Sequence, residues 1–112
     1  MFNITLKTYR WEPFNFEVEF MEENGYINVS RLCERYEKKI DDWKNVHYNE
    51  LYESLQQFCQ HNGIQHYQPI EYKGEWFLDP SLALHIGYWI GPSVGIYLCA
   101  FYFGILFGSV KI

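Results

Sequence analysis

The sequence predicts a small α+β domain, in which helices pack against one antiparallel sheet. Three observations support this fold class: an alternating apolar pattern before a hairpin turn, two segments with helical spacing of apolar residues, and a second hairpin followed by a third helix. Helices segregated against a small antiparallel sheet are typical of α+β folds. The chain of 112 residues has the length of one domain.

The first predicted elements are strands. Residues 2–11 alternate weakly and favour a first strand. Over residues 14–20 every second side chain is apolar, and this period of two predicts a half-buried strand. Asn24-Gly25 is a strong signal for a tight hairpin turn, so residues 26–27 begin the partner strand.

Two helices are predicted next. Asn28 suits the N-cap position, and the first helix runs from Val29 to about Lys39. Its buried stripe is formed by Val29, Leu32, Cys33 and Tyr36. The second helix begins at Tyr48 or Asn49 and ends near Gln60, before Gly63. Its apolar face is formed by Leu51, Leu55, Phe58 and Cys59.

A second hairpin and a third helix complete the predicted fold. Residues 67–72 and 76–78 favour two strands, and Lys73-Gly74-Glu75 favours the turn between them. Asp79 is a good N-cap and Pro80 suits the first helical position. The third helix therefore begins at Pro80 and ends at Gly91-Pro92, because proline cannot continue the hydrogen-bond ladder.

The chain is acidic overall. Nine basic residues face fourteen acidic ones, and the formal net charge is -5. This sign does not suit a protein that binds only through phosphate contacts, because nucleic-acid binders usually carry a basic patch. Any nucleic-acid function must therefore depend on local charge. Aromatic residues make up 21% of the chain, so a few large rings can build the core.

The cysteine pattern and the N-terminus predict an intracellular protein. Cys33, Cys59 and Cys99 are odd in number and widely spaced, so they offer no disulfide framework and are expected to be free thiols in a reducing compartment. The first residues lack the basic region and apolar run of a signal peptide, so we expect no secretion.

Three blocks of the sequence resemble one known family. Gly25-Tyr26-Ile27-Asn28-Val29-Ser30-Arg31-Leu32-Cys33 comes first, and Asp41-Asp42-Trp43 follows. The third block, residues 76–92, places a tryptophan before a proline-started helix that ends with a second tryptophan and a proline. In this order the blocks resemble the KilA-N domain, a DNA-binding module of large DNA viruses and phages that is similar to the fungal APSES domain.

The resemblance implies a winged-helix-like layout, in which a helix enters the major groove and a hairpin wing follows the DNA backbone. On this sequence the helix that reads the DNA would be Tyr48 to Gln60, and the wing would be Pro69 to Trp76. The candidate DNA-binding residues that follow are Arg31, Arg35, Lys44, Asn49, Gln56, Gln57 and Lys73.

These candidates differ in chemistry. The three amides suit base edges, especially adenine, and Lys44 and Lys73 suit phosphates. Glu50 and Glu53 make the same helix a poor phosphate partner. A second basic cluster is nearly cancelled by neighbouring acidic residues, so a phosphate contact and an ordinary solvated helix face both stay open. That cluster is Arg31, Arg35, Lys38 and Lys39, beside Glu34, Glu37, Asp41 and Asp42.

These patterns divide the chain into an N-terminal strand region (1–24), a KilA-N-like domain (25–92) and an apolar C-terminal segment (93–112). No residue from Pro80 to Val110 carries a formal charge when histidine is neutral. Three interpretations of the last segment stay open. It packs on the core and a partner subunit, it associates with a membrane, where Gly104-x-x-x-Gly108 would suit helix packing, or it lacks its natural continuation.

No pattern in the sequence indicates an enzyme. Cys59, His61 and His66 are three candidate metal ligands without a second cysteine pair. His85 is expected to be a structural histidine with a hydrogen-bonded ring, because a general base needs a positioned partner. There is no glycine-rich phosphate loop and no nucleophile elbow. We therefore expect no catalytic residue, no metal and no cofactor.

Three functional hypotheses remain. The first is a module that binds duplex DNA, acting in the host-cell cytoplasm or at the site of viral DNA replication if a virus encodes it. The second is a protein-interaction or dimerisation module that has kept the fold and lost DNA binding, which the net charge and the apolar segment favour. The third is a form tethered to a membrane by its apolar C-terminal segment.

Overall fold

The computed structural model describes residues 4–65 and 68–106. Its strands and helices, in chain order, are β1 (Leu6–Trp11), β2 (Phe16–Met21), β3 (Ile27–Asn28), α1 (Val29–Arg35), α2 (Ile40–Trp43), α3 (Asn49–His61), β4 (Ile70–Tyr72), β5 (Glu75–Leu78), α4 (Pro80–Ile90) and α5 (Pro92–Ala100). A 3-10 turn (Glu12–Phe14) joins β1 to β2, and two π-helical turns (Lys44–Tyr48 and Phe101–Leu106) precede α3 and follow α5.

One antiparallel sheet in the order β1-β2-β3-β5-β4 joins the two predicted hairpins. β1 pairs with β2 along its whole length. β3 has only two residues, yet it connects the sheet because Ile27 pairs with Phe20 on one side and with Leu78 on the other. The predicted fold class, helices against a small antiparallel sheet, is confirmed.

The core lies on one face of this sheet. In β2 the side chains of Phe16, Val18 and Phe20 are buried, and Glu17 and Glu19 lie half-buried on the other face, so the predicted period of two is confirmed over residues 16–20. Phe14, predicted in the same strand, lies instead in the 3-10 turn and is 49% exposed. Full burial of one large apolar side chain stabilises by about 1.5–3 kcal/mol. The helices and the last turn cover the core face with Val29, Leu32, Cys33, Trp43, Leu82, Ala83, Ile86, Val94, Leu98, Phe101 and Tyr102.

Helix α1 begins where predicted and ends earlier. The Asn28 side chain caps it by accepting a backbone N–H of the first turn at 2.9 Å. The prediction that this helix reaches about Lys39 is wrong, because α1 ends at Arg35. Glu37 takes the left-handed conformation with a φ of 58°, and the Lys38 N–H donates back to a carbonyl of the last turn at 2.8 Å. These features end the helix as a Schellman motif.

Helical structure that the sequence did not predict precedes the second helix. Helical structure starts at Ile40, passes through the π turn Lys44–Tyr48 and continues as α3 to His61. Hydrogen bonds in a π turn connect residues five positions apart, which brings such residues onto one face. The rings of Trp43 and Tyr48 are accordingly 6.0 Å apart between centroids. The predicted start at Tyr48 or Asn49 is confirmed for α3, which begins at Asn49, whereas the helical turns over residues 40–48 were not predicted.

Part of the predicted apolar face of α3 is also wrong. Cys59 is buried and Leu51 and Leu55 are half-buried, but Phe58 is 59% exposed. Phe58 and Cys59 are adjacent in sequence and therefore about 100° apart around the helix, so they cannot both face the core. The structure places Cys59 inward and leaves Phe58 in solvent.

The second hairpin and α4 follow the sequence prediction closely. Lys73 and Gly74 form the turn with φ values of 52° and 79°, the signs of a type I′ turn. β4 begins at Ile70, and the predicted strand residue Tyr67 lies outside the described residues. Asp79 caps α4 by accepting the Ser81 N–H at 3.1 Å, as predicted.

The C-terminal segment packs on the core as far as the structure describes it. Val94, Leu98, Phe101 and Tyr102 belong to the main core cluster, so the packing on the core in the first interpretation is confirmed as far as residue 106, and its partner subunit stays a prediction. Within residues 4–65 and 68–106, none of the helices is long and apolar enough to cross a membrane. Gly108 lies outside the described residues. The division into 1–24, 25–92 and 93–112 stays a prediction.

Candidate nucleic-acid interface

The two arginines of the candidate set are paired with carboxylates. On α1, Arg31 has guanidinium nitrogens 3.6 Å from Glu19 Oε2 and 3.7 Å from Glu75 Oε1. Arg35 lies 3.7 Å from Glu17 Oε2. These pairs connect α1 with β2 and β5, and a phosphate would have to displace the carboxylates. The geometry therefore favours a salt-bridged, solvated helix face over a phosphate contact for both residues.

A polar groove of about 370 Å³ lies between α1 and β2. Asn28, which is 1% exposed, joins its two walls, because Oδ1 caps α1 and Nδ2 donates to Glu19 Oε1 at 2.9 Å. Three carboxylates and two guanidinium groups line the groove. The net charge of the lining is therefore negative, which does not favour a phosphate. The charged lining residues are Glu17, Glu19, Glu34, Arg31 and Arg35.

Lysines near the helix and the hairpin are arranged differently. In the described part of the chain, no ion pair involves Lys38, Lys39, Lys44 or Lys73. Lys44 Nζ lies 3.5 Å from the centre of a Trp76 ring, and Lys73 Nζ lies 5.3 Å from the Tyr72 ring. An aromatic face attracts a cation and carries no net charge of its own. Lys44 and Lys73 therefore keep their charge for an anionic ligand.

The polar candidates on α3 share one side of the helix. Asn49 and Gln57 are exposed and Gln56 is half-buried, at a spacing of about two helical turns. Exposed Glu53 lies one turn from Asn49 on the same side, and exposed Glu50 lies beside it. The amides can pair with base edges, and the carboxylates repel phosphates.

A row of aromatic side chains in contact connects α3 with the β4–β5 hairpin. The sequence patterns did not reveal this row. We call Trp76, Tyr48 and Tyr52 the aromatic ladder. Ring centroids lie 5.1 Å apart between Trp76 and Tyr48, and 5.4 Å apart between Tyr48 and Tyr52. The Tyr52 hydroxyl then donates to Gln68 Oε1 at 3.1 Å, just before β4. The spacing of Tyr48 and Tyr52, one helical turn, was the available signal.

Partial burial in the aromatic ladder changes the pKa of one of its hydroxyl groups. Burial raises the pKa of the Tyr48 hydroxyl, and the neighbouring Tyr52 raises it further. Tyr48 therefore stays a neutral phenol in ordinary buffers. The ladder holds the helix and the hairpin together and brings Lys44 and Trp76, two elements apart in the fold, into direct contact.

A part-buried hydrogen bond is formed by Trp43, the residue just before the π turn. The Trp43 Nε1–H donates to His85 Nδ1 at 3.0 Å, and the His47 ring lies 5.2 Å from His85 between centroids. Burial lowers the pKa of His85, and His47 lowers it further. The expectation of a structural histidine with a hydrogen-bonded ring is confirmed.

The described residues, 4–65 and 68–106, bring together no group of three His, Cys, Asp or Glu side chains that could hold a metal ion. Cys33 and Cys59 are buried, and burial raises the pKa of the Cys33 thiol to about 11. Such a thiol is a weak nucleophile. His66, a candidate ligand in the sequence, lies outside the described residues.

Comparison with known proteins gives one family. The model of the KilA-N domain family matches residues 13–102. A KilA-N domain-containing protein of Acanthamoeba polyphaga mimivirus is 32% identical over 98 residues, which cover 73% of this chain and 26% of that protein. An uncharacterized protein of fowlpox virus is 29% identical over 99 residues, which cover 78% of this chain and 64% of that protein. The chain thus spans less than two thirds of the length of either relative. No solved structure matches it.

Proposed function

This chain belongs to the KilA-N domain family, and we propose that it is a module that binds duplex DNA through α3 and the β4–β5 hairpin. The observation that carries the proposal is the position of Lys44 and Lys73. They lie at the two elements that a winged-helix-like module presents to DNA, and both make cation–ring contacts instead of carboxylate pairs in the described residues.

In this proposal each type of residue has a separate task. Lys44 and Lys73 contact phosphates, and the amides of α3 face base edges; these are Asn49, Gln56 and Gln57. Arg31 and Arg35 brace α1 against the sheet through their glutamates. Since few cations are free, binding is moderate and sensitive to salt. The protein would act inside the host cell, at the site of viral DNA replication.

The backbone at Lys73 supports a functional role for its side chain. A type I′ turn favours Asn or Gly at this position, because both residues tolerate a positive φ. Lys73 has a φ of 52°, so the turn holds a residue that the local conformation does not favour. Conflicts of this kind concentrate at functional positions. A phosphate contact would explain the lysine.

Binding to a short DNA duplex at low and at physiological salt tests the proposal. Lys44→Gln and Lys73→Asn should each weaken binding and reduce the slope of log affinity against log salt by about 0.9, the effect of one lost phosphate contact. Lys73→Asn should leave thermal stability unchanged or raise it, because asparagine suits the turn. A loss of affinity without a loss of stability would separate function from folding.

Lys7→Gln is the matched control. Lys7 lies on β1, at the sheet edge opposite β4, and pairs with Glu22 at 3.3 Å. Its replacement removes the same charge and should leave affinity nearly unchanged. The proposal is wrong if the wild-type chain does not bind at low salt, or if the variants at Lys44 and Lys73 bind like the control.

A second candidate function is protein interaction. Tyr88, Ile96 and Phe103 are 47%, 57% and 57% exposed on the uncharged α4–α5 region, whereas the whole chain carries a net charge of -5. Exposed apolar side chains on one region can form the centre of an interface between two copies. Light scattering over a range of concentrations tests this function, and a monomer throughout would exclude a homodimer.

A further inference from the structure

We infer that Trp76 is a positioning residue that holds the Lys44 ammonium in place for a DNA phosphate. The inference rests on the proposed function. It adds a residue that is not among the seven candidate DNA-binding residues. Lys44 Nζ lies 3.5 Å from the centre of the Trp76 ring, against 5.3 Å and 5.7 Å for the other two cation–ring contacts of the described residues. Trp binds cations best among the aromatic side chains.

Trp76 is itself held from two sides. Its backbone N–H donates to Ser30 Oγ on α1 at 2.9 Å, and its place in β5 pairs it with Glu71 of β4. Its ring packs edge-on against Tyr48 at 5.1 Å. Because Lys44 and Tyr48 both belong to the π turn, the ring fixes the start of α3 against the hairpin.

A basic side chain that contacts an aromatic ring is more available to a phosphate than one that is paired with a carboxylate. Arg31 and Arg35 face glutamates, whose negative charges offset the arginine charges locally and would have to be displaced by a phosphate. Lys44 rests on a neutral surface, so its full charge stays available. The contact also restricts the flexible lysine chain before DNA arrives, and a side chain ordered in advance loses less entropy on binding.

A double-mutant cycle on DNA affinity tests the inference. The four proteins are the wild-type chain, Lys44→Gln, Trp76→Leu and the double variant, each checked for folding by circular dichroism. Lys44→Gln should weaken binding about two- to fivefold more in the presence of Trp76 than in the Trp76→Leu chain. A Trp76 that only supported the fold would lower affinity by the same factor with either residue at position 44.

Lys73→Asn in the same two chains is the internal control. Lys73 lies at the tip of the hairpin that contains Trp76, with its own contact to Tyr72. A Trp76 that merely kept the hairpin folded would weaken the effect of Lys73 as much as that of Lys44. We expect coupling at Lys44 and an unchanged effect at Lys73; equal coupling at both positions contradicts the inference.

The remaining outcomes are also decisive. If Trp76→Leu does not fold, the cycle uses Trp76→Phe, which keeps a ring of weaker cation affinity. The effect of Lys44→Gln should then fall by about twofold, and an unchanged effect overturns the inference. Wild-type binding without coupling overturns this inference alone. Absence of wild-type binding overturns the proposed function and the inference with it.

Discussion

The Trp43 indole depends on the protonation state of one distant side chain. Trp43 is fully buried, and its only polar atom donates to His85 Nδ1 at 3.0 Å. His85 can accept this hydrogen bond only as a neutral imidazole with its proton on Nε2. Protonation would place two N–H donors face to face, and His47, 5.2 Å away between ring centroids, adds to the cost if it is charged.

We therefore expect acid to weaken the fold through His85. Its pKa is lowered in the folded chain, so below about pH 6.5 the unfolded chain binds more protons at this residue. The contribution of His85 to stability is complete above pH 6.5 and is lost as the pH falls toward the lowered pKa. Urea unfolding at pH 7.5 and pH 5.5 measures this loss.

His85→Leu is the informative variant. At pH 7.5 it should lower the free energy of unfolding by about 1–3 kcal/mol, because it leaves the buried Trp43 N–H without an acceptor. This difference from the wild type should shrink at pH 5.5, where protonation of His85 in the unfolded chain reduces the contribution of His85 to stability. His61→Gln, at an exposed histidine of α3, should leave the pH profile unchanged. A constant difference at both pH values would contradict the protonation mechanism.

At the scale of elements, the sequence predicted those features that depend on residues close together in the chain. The caps at Asn28 and Asp79 and the alternation in β2 depend on neighbouring residues, and the structure has all three. The π turn was not predictable in this way. Trp43, the residue before it, forms its side-chain hydrogen bond with His85, 42 positions away. The contact between Lys44 and Trp76 is of the same long-range kind, so only the amino acids of the candidate site were visible in the sequence.

The acidity of α3 gives a prediction for this helix. Glu53 is exposed one turn from Asn49, on the side proposed to face DNA. Glu53→Gln removes one repulsion between a carboxylate and phosphates, which at an exposed site is worth about 0.2–1 kcal/mol. DNA affinity at low salt should therefore rise up to about fivefold, as measured by fluorescence anisotropy with a labelled duplex.

The matched control removes a carboxylate far from α3. Glu12→Gln changes the 3-10 turn after β1, at the sheet edge opposite β4, where the carboxylate pairs with Arg10 at 3.5 Å. It lowers the net negative charge by the same amount. Equal gains from Glu12→Gln and Glu53→Gln would mean that only total charge matters, and no gain from Glu53→Gln would place the DNA elsewhere.

At the scale of the whole molecule, the cations are divided between two tasks. Within the described residues each arginine takes part in an ion pair with glutamate, and four lysines near α2 and the hairpin take part in none. These lysines are Lys38, Lys39, Lys44 and Lys73. A net charge of -5 therefore does not by itself exclude DNA binding, because the described residues include positive charges that no carboxylate pairs with.

Also at the scale of the whole molecule, core contacts determine where the cooperative folding unit ends. We expect a chain that ends at Pro92 to lose its cooperative fold, because four side chains of the main core cluster follow that residue. They are Val94, Leu98, Phe101 and Tyr102. At about 1.5–3 kcal/mol for each large buried side chain, their joint loss is comparable with the total stability of a small domain, about 5–15 kcal/mol.

Circular dichroism and urea unfolding of the shortened chain test this expectation, together with a matched pair of point variants in α5. Leu98→Ala, at a fully buried site, should cost about 2–5 kcal/mol. Ile96→Ala, at a site 57% exposed in the same helix, should cost less than about 0.5 kcal/mol. A shortened chain with native dichroism and wild-type DNA affinity would instead make residues 1–92 an independent folding unit, with α5 only an accessory helix.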